Sequence, residues 1–151
     1  FLLDTPTWRA NGDWGAQLGY DAAALDRVNR EAARFVQELR AASGRPEAVV
    51  CAGVVGPRGD GYQADERLTA EEAQGYHAAQ IASFAAAGLD MVAAYTLTHT
   101  DEAIGIVRAA QAAGMAGIGV LWGAGTDGDL RAAQPHAVAP DVAALRALLL
   151  S

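Results

Sequence analysis

Cysteine is nearly absent from this chain. The single thiol, Cys51, excludes an internal disulfide framework and fits a reducing cytosol. No stretch reaches the eighteen or so uninterrupted apolar residues of a membrane span, and no secretory leader is visible. A cytoplasmic location without a membrane partner is therefore expected. Positive charge is short as well: 11 Lys and Arg stand against 18 Asp and Glu, a net −7 with a pI near 4.8. Nucleic acid and anionic membrane surfaces need clustered basic residues, so neither is an expected partner. Linkers and low-complexity tracts are missing too. The chain opens without an initiator methionine, on "FLLDTPTW", inside what reads as a β-strand. That start suggests a chain cut from something longer, or an engineered one.

What is present is a 52% apolar chain of 151 residues, rich in alanine, leucine and valine. That length suits one domain, able to bury roughly two thirds of its unfolded surface. Short apolar runs alternate with helical patterns. Phe1–Leu3 reads as a strand ending in the polar loop "DTPTWRANGDWGAQLGY". Asp21 caps a long helix with Ala24, Leu25, Val28, Ala32, Phe35, Val36 and Leu39 at helical spacing. "AVVCAGVVG" is a second strand. Thr69 opens the next helix, with Glu72 completing a capping box and Gly88 ending it. "DMVAAYTLT" is the third strand, "HTDEAIGIVRAAQAAG" a helix to Gly114, and "AGIGVLWG" the fourth strand. "DGDLRAAQ" is a short helix, "HAVA" a brief strand and "DVAALRALLL" a closing helix.

This alternation predicts a single α/β domain over residues 1–151, with a parallel sheet of about five strands alternating with helices. The sheet is either half-barrel-like or a flavodoxin- or Rossmann-like layered sandwich. Strands lying side by side in chain order would put every helix on one face, because parallel crossovers are right-handed. The other face would then be bare, and a homodimer is expected to cover it.

The stretch "VVGPRGDGYQ" follows the second strand, where parallel sheets collect ligands. Gly56, Gly59 and Gly61 let the backbone approach a ligand, and Arg58 offers bidentate pairing to a phosphate, sulfate or carboxylate. The plainer reading is a strand-to-helix turn. Asp60 is expected to neutralise Arg58 internally, leaving anion binding weak. The Arg-Gly-Asp triplet is not read as an adhesion signal, and no Lys-Ser/Thr ending makes the loop a P-loop. His77, His99 and His136 are too scattered for a metal site and are expected on the surface or in loops. Asp101 and Glu102 are expected to serve the dipole at a helix start. Trp8, Trp14 and Trp122 lie near strand ends, as pocket lining or as loop packing.

The segments "FLLDTPTWRANGDWGAQLGYD", "GVVGPRGDGY", "EEAQGYHAAQIASFAAAGLDMV" and "DEAIGIVRAAQAAGM" resemble consecutive pieces of the homocysteine S-methyltransferase family, from Phe1 to about Met115. That resemblance implies strands two to four of a (βα)8 barrel that moves a methyl group onto a zinc-bound thiol. It also implies that Thr5–Trp8 and Gly56–Tyr62 face the pocket, with Tyr95 where the family often has a glutamate. The family draws its zinc thiolates from late barrel strands, which lie outside this stretch. Cys51 alone cannot replace them and reads as a packed small hydrophobe.

From about Met115 the tail "GIGVLWGAGTDGDLRAAQPHAVAPDVAALRALL" resembles the end of a haloacid dehalogenase-type phosphatase of the phosphoglycolate phosphatase branch. It carries no aspartate nucleophile motif "DxDGT". Two partial resemblances joined at one helix suggest a recombined or engineered chimera: a folded scaffold without catalysis and without a cofactor. Its vestigial anion or substrate site would be Thr5, Trp8, Gly56, Arg58, Gly59, Asp60, Gly61, Tyr62 and Tyr95. The alternative is a truncated methyltransferase-like enzyme acting on a thiol, completed by a partner or a second copy.

Overall fold

Leu2, Leu3 and Asp4 pair in parallel with Val50, Cys51 and Ala52, and Ala52 to Val55 pair in turn with Met91 to Ala94. These ladders join β1 (Leu2–Asp4), β2 (Val50–Val55) and β3 (Met91–Ala94) in chain order. The computed structural model describes residues 1–62, 67–122, 126–132 and 134–149. Its contacts divide the chain into two compact units, Phe1–Met115 and Ala116–Ser151.

In the first unit, α2 (Ala22–Ala42), α3 (Ala70–Ala86) and α4 (Thr100–Ala112) follow β1, β2 and β3. Asp21 Oδ1 accepts the Ala24 N–H, and Thr69 and Glu72 close their capping box, so two of these helices begin where expected. Both α3 and α4 end on a glycine with positive φ, Gly88 at +74° and Gly114 at +82°. Leu89 N–H returns to Phe84 O and Met115 N–H to Ala110 O, the six-to-one bond that stops a helix and aims the chain back at the sheet. One short helix was not expected. α1 (Gly12–Gln17) interrupts the first loop, and Asn11 caps it by accepting Trp14 N–H.

The core lies on one face of this sheet. Leu3, Cys51, Val55, Val92 and Ala94 meet Ala33, Val36, Ile81, Phe84, Ile106 and Ala109 from the helices. The opposite face carries Leu2, Val50, Met91 and Ala93, all at least partly exposed, around Ala52 and Val54 of the central strand, which are buried. Sequential strand order with helices on one face is the half-barrel-like arrangement and not the layered sandwich. The stripe of α2 is rotated from the expected one. Asn29, Ala33 and Val36 are buried, while Phe35 and Leu39 remain 53% and 45% exposed. Asn29 draws its side of the helix inward by donating to Ala10 O and Leu25 O, and Ala33 is small enough to seat the helix on the sheet.

In the second unit, β4 (Ile118–Val120) pairs in parallel with β5 (Ala137–Ala139), followed by α6 (Val142–Leu149), with α5 (Asp127–Ala132) between the strands. Among the described residues the five expected strands are all present and all paired in parallel, three in the sheet of the first unit and two in that of the second. Gly123, Ala133 and Leu150, expected at the ends of these elements, lie outside the described residues.

Candidate functional site

The carboxyl ends of β1, β2 and β3 carry the loops that the sequence singles out. Thr5 and Thr7 prolong β1 beyond Asp4. Thr5 N–H donates to Ala52 O, Val54 N–H to Thr5 Oγ1, and Thr7 Oγ1 to Val54 O at 2.8 Å. Both hydroxyls are buried, so Thr5 seals the strand end and offers no free group to a ligand. Trp8 lies against Gly56 so tightly that a Cβ there would stand 2.6 Å from the indole Nε1 and from the Trp8 carbonyl oxygen. The Arg9 guanidinium stacks between the Trp8 and Trp14 rings, 4.2 and 3.7 Å from their centroids. Two of the three tryptophans therefore build one aromatic and cationic wall.

The Gly56–Tyr62 loop is tied down from below. Arg58 N–H donates to Glu102 Oε1 at 2.8 Å, and Arg58 Nε meets Asp13 Oδ2 at 3.1 Å, on α1. The expected internal pair with Asp60 does not form, because Asp60 Oδ1 turns to accept the Tyr62 N–H. Asp60 thereby fixes the turn locally while Arg58 links two loops. Tyr62 points outward, 83% exposed, and Gly61 passes so close to Thr96 that a Cβ would stand 2.7 Å from its Oγ1. Gly59 meets nothing within 4 Å.

Tyr95 closes the same end of the sheet, its hydroxyl donating to Asp4 Oδ2 at 2.9 Å. Partial burial and then the Asp4 carboxylate raise the phenol above its ordinary range. Thr96 follows in the left-handed region at φ +59°, a costly conformation for a β-branched residue. Its Oγ1 donates to Tyr95 O at 2.6 Å.

Sequence reasoning misplaced His77 and missed the partner of Glu102. His77, expected on the surface or in a loop, is 0% exposed. Glu102 stands in the first turn of α4 as expected but is only 1% exposed, and the two meet at 3.0 Å. The signal for His77 was its helical spacing with Ala73, Gln80, Ile81 and Phe84, all buried on α3. His99 precedes α4, where its Nε2 accepts Leu68 N–H, and exposed His136 accepts Gly117 N–H in the second unit. Trp122 is exposed in that unit.

A zinc site does not fit the described residues. No three His, Cys, Asp or Glu side chains converge among them. Cys51 points into the helix-side core, its thiol directed at Val36 O at 3.7 Å, and burial pushes its pKa up. A thiol held neutral beneath the helices is no metal ligand at the mouth.

A partial barrel of parallel strands with a polar mouth at their carboxyl ends is the class that this architecture defines. The chain belongs to the homocysteine S-methyltransferase family, whose model matches residues 2–142. That match runs past Met115 and across most of the tail that was expected to be phosphatase-like. Among solved structures, the chain is similar to the homocysteine methyltransferase MmuM from Escherichia coli in its metallated and oxidised forms. Each is 24% identical with a TM-score of 0.65 over 74% of this chain. The chain spans 42% and 41% of the length of those two. Comparison with curated proteins gives no match.

Proposed function

We propose that this chain supplies the substrate-facing mouth of a thiol S-methyltransferase, and that turnover needs further segments from a longer chain, a partner or a second copy. The family match over residues 2–142 carries this reading. An engineered or recombined chimera is the weaker reading, since one family model spans both sides of Met115.

The division of labour follows from chemistry. A thiol attacks a methyl group as its thiolate, and soft metal coordination is an effective way to form one near neutral pH. The described residues bring no such ligands to the mouth, so activation falls to groups beyond them. What these residues do is bind and orient. Asp4, with the Tyr95 hydroxyl beside it, offers an anionic and polar contact, and Trp8 with Arg9 walls the opening. Weak anion binding is all that the Gly56–Tyr62 loop offers, because Asp13 already engages Arg58. The partly exposed sheet face opposite the core is proposed to close against a second copy of the chain.

Amide chemical shifts during titration with homocysteine test the reading. Localised shifts at Asp4, Trp8, Gly56, Gly61 and Tyr95, without methyl transfer by the chain alone, are expected. Stoichiometric zinc with thiol methylation by the isolated chain would remove the need for further segments. Unmoved mouth amides would remove the substrate site itself.

A further inference from the structure

Beneath the mouth lies a buried polar contact that thiol chemistry does not require. Glu102 is in the first turn of α4 and His77 is midway along α3, both sealed from solvent. The Glu102 carboxylate accepts two hydrogen bonds through Oε1, from Arg58 N–H and from His77 Nε2. Among the described residues, His77 Nδ1 is buried and has no hydrogen-bond partner. With Nε2 as the donor to Glu102, the ring serves the carboxylate alone.

We propose that Glu102, held in place by His77, is the positioning residue of the Gly56–Tyr62 loop, and that protonating Glu102 releases the loop. Backbone contact makes the link direct, since Glu102 holds a main-chain N–H and not a side chain able to swing aside. The release would spread. Arg58 binds Asp13 and lies over the Tyr76 ring, and Tyr76 donates to Asn11 Oδ1, the cap of α1. One carboxylate thus sets both loops that flank the mouth.

The groups facing Glu102 decide the direction of the switch. From α3 come His77 and Tyr76, from the loop Arg58, and from the turn before α4 His99. Asp101, beside it on α4, is exposed. Burial alone would raise the Glu102 pKa; the His77 and Arg58 hydrogen bonds outweigh it and leave it lowered. A lowered carboxylate contributes stability that is present above the ordinary glutamate range and lost as pH falls through the folded value. The loop is therefore latched at neutral pH and freed in acid.

The purpose assigned to the latch rests on the mouth being a substrate site, but its test does not. Amide spectra of the full chain would be recorded from neutral to acid pH, beside E102Q, H77Q and D101N. In the wild type, Gly56, Arg58, Gly59 and Gly61 should shift in one shared step below the usual glutamate range, while α3 and α4 amides hold. E102Q should lose that step and show the released loop positions at neutral pH, and D101N should change nothing. H77Q keeps a donor toward Glu102, so it should keep the latched positions and move the step upward. Loop amides that stay flat while the Glu102 carboxyl titrates would overturn the proposal. So would loop signals that shift only as the whole domain unfolds. If E102Q does not fold, the wild-type and H77Q titrations decide alone.

Discussion

The Tyr95 hydroxyl donates to Asp4 across the carboxyl ends of β3 and β1, strands that β2 separates. This bond spans the mouth, and it ties the ionisation of one residue to the charge of the other. A raised tyrosine pKa means stability that is present below the ordinary tyrosine range and lost as pH rises through the folded value. Tyr76 is raised too, chiefly by burial. Ultraviolet titration should therefore show two of the four tyrosines ionising late, with Y95F removing one late step and D4N lowering it. The bond is exposed, so Y95F should cost no more than about 1 kcal/mol. A Y95F profile identical to wild type would mean that the contact is not formed in solution.

Gly56 is the seat of Trp8. In G56A the new methyl would collide with the indole nitrogen and the Trp8 carbonyl, both 2.6 Å away. Displacing Trp8 should cost roughly 1–3 kcal/mol as overpacking. It should also disturb the Arg9 stack between Trp8 and Trp14. Red-shifted tryptophan emission, reduced near-ultraviolet dichroism and a lower urea midpoint are expected together. Unchanged emission would show that the loop yields where the indole was expected to.

Gly105 sets two magnitudes against each other. An alanine in a helix interior gains about 1 kcal/mol over glycine by propensity. Here its Cβ would lie 2.5 Å from Ala73 Cβ, 2.6 Å from Gln74 N and 2.7 Å from Ala70 O, where α3 and α4 press together. Backbone cannot step aside as a side-chain end can, so overpacking of about 1–3 kcal/mol should win. G105A is expected to lower the urea midpoint at an unchanged m-value. A stabilised variant would show the helices to be further apart.

The sheet face opposite the core should govern association. Leu2, Val50, Met91 and Ala93 are at least partly exposed there, around buried Ala52 and Val54, and a second copy is expected against them. Light scattering after size exclusion at micromolar concentration should give the mass of a dimer. L2D and A93D should return it to monomer, whereas F35D on α2 should not. A monomer in the unsubstituted chain would dismiss this pairing.

Much of the fold was legible because its signals are local. Asp21, Thr69, Glu72, Gly88 and Gly114 each act within a few residues, and they mark the ends of α2, α3 and α4 in the sequence itself. The stripe of α2 was less legible: Phe35 fits the helical period but the burial depends on where Asn29 and Ala33 find partners. The site was harder still. The loop positions of Gly56, Arg58 and Tyr95 follow from strand ends. The Asp13 partner of Arg58 comes from 45 residues away, and the Glu102 partner of its N–H from 44. No spacing rule reaches that far. His77 was misplaced and the partner of Glu102 missed for the same reason, since a buried charge is visible only with its partner.

The parallel ladders also set an order of assembly. The Thr7 to Val54 bond closes 47 residues of chain and the Cys51 to Asp90 bond 39, whereas His77 reaches Glu102 across 25. Longer closures cost more entropy before any contact returns it. The α3–β3–α4 segment is thus placed to collapse first, around Phe84, Ile106 and the Ala73–Gly105 contact, with β1 docking last on the edge of β2. Transition-state analysis should then give φ-values of roughly 0.5 or more for I106V and near zero for L3A. The strand that begins the chain would be the last to join the fold.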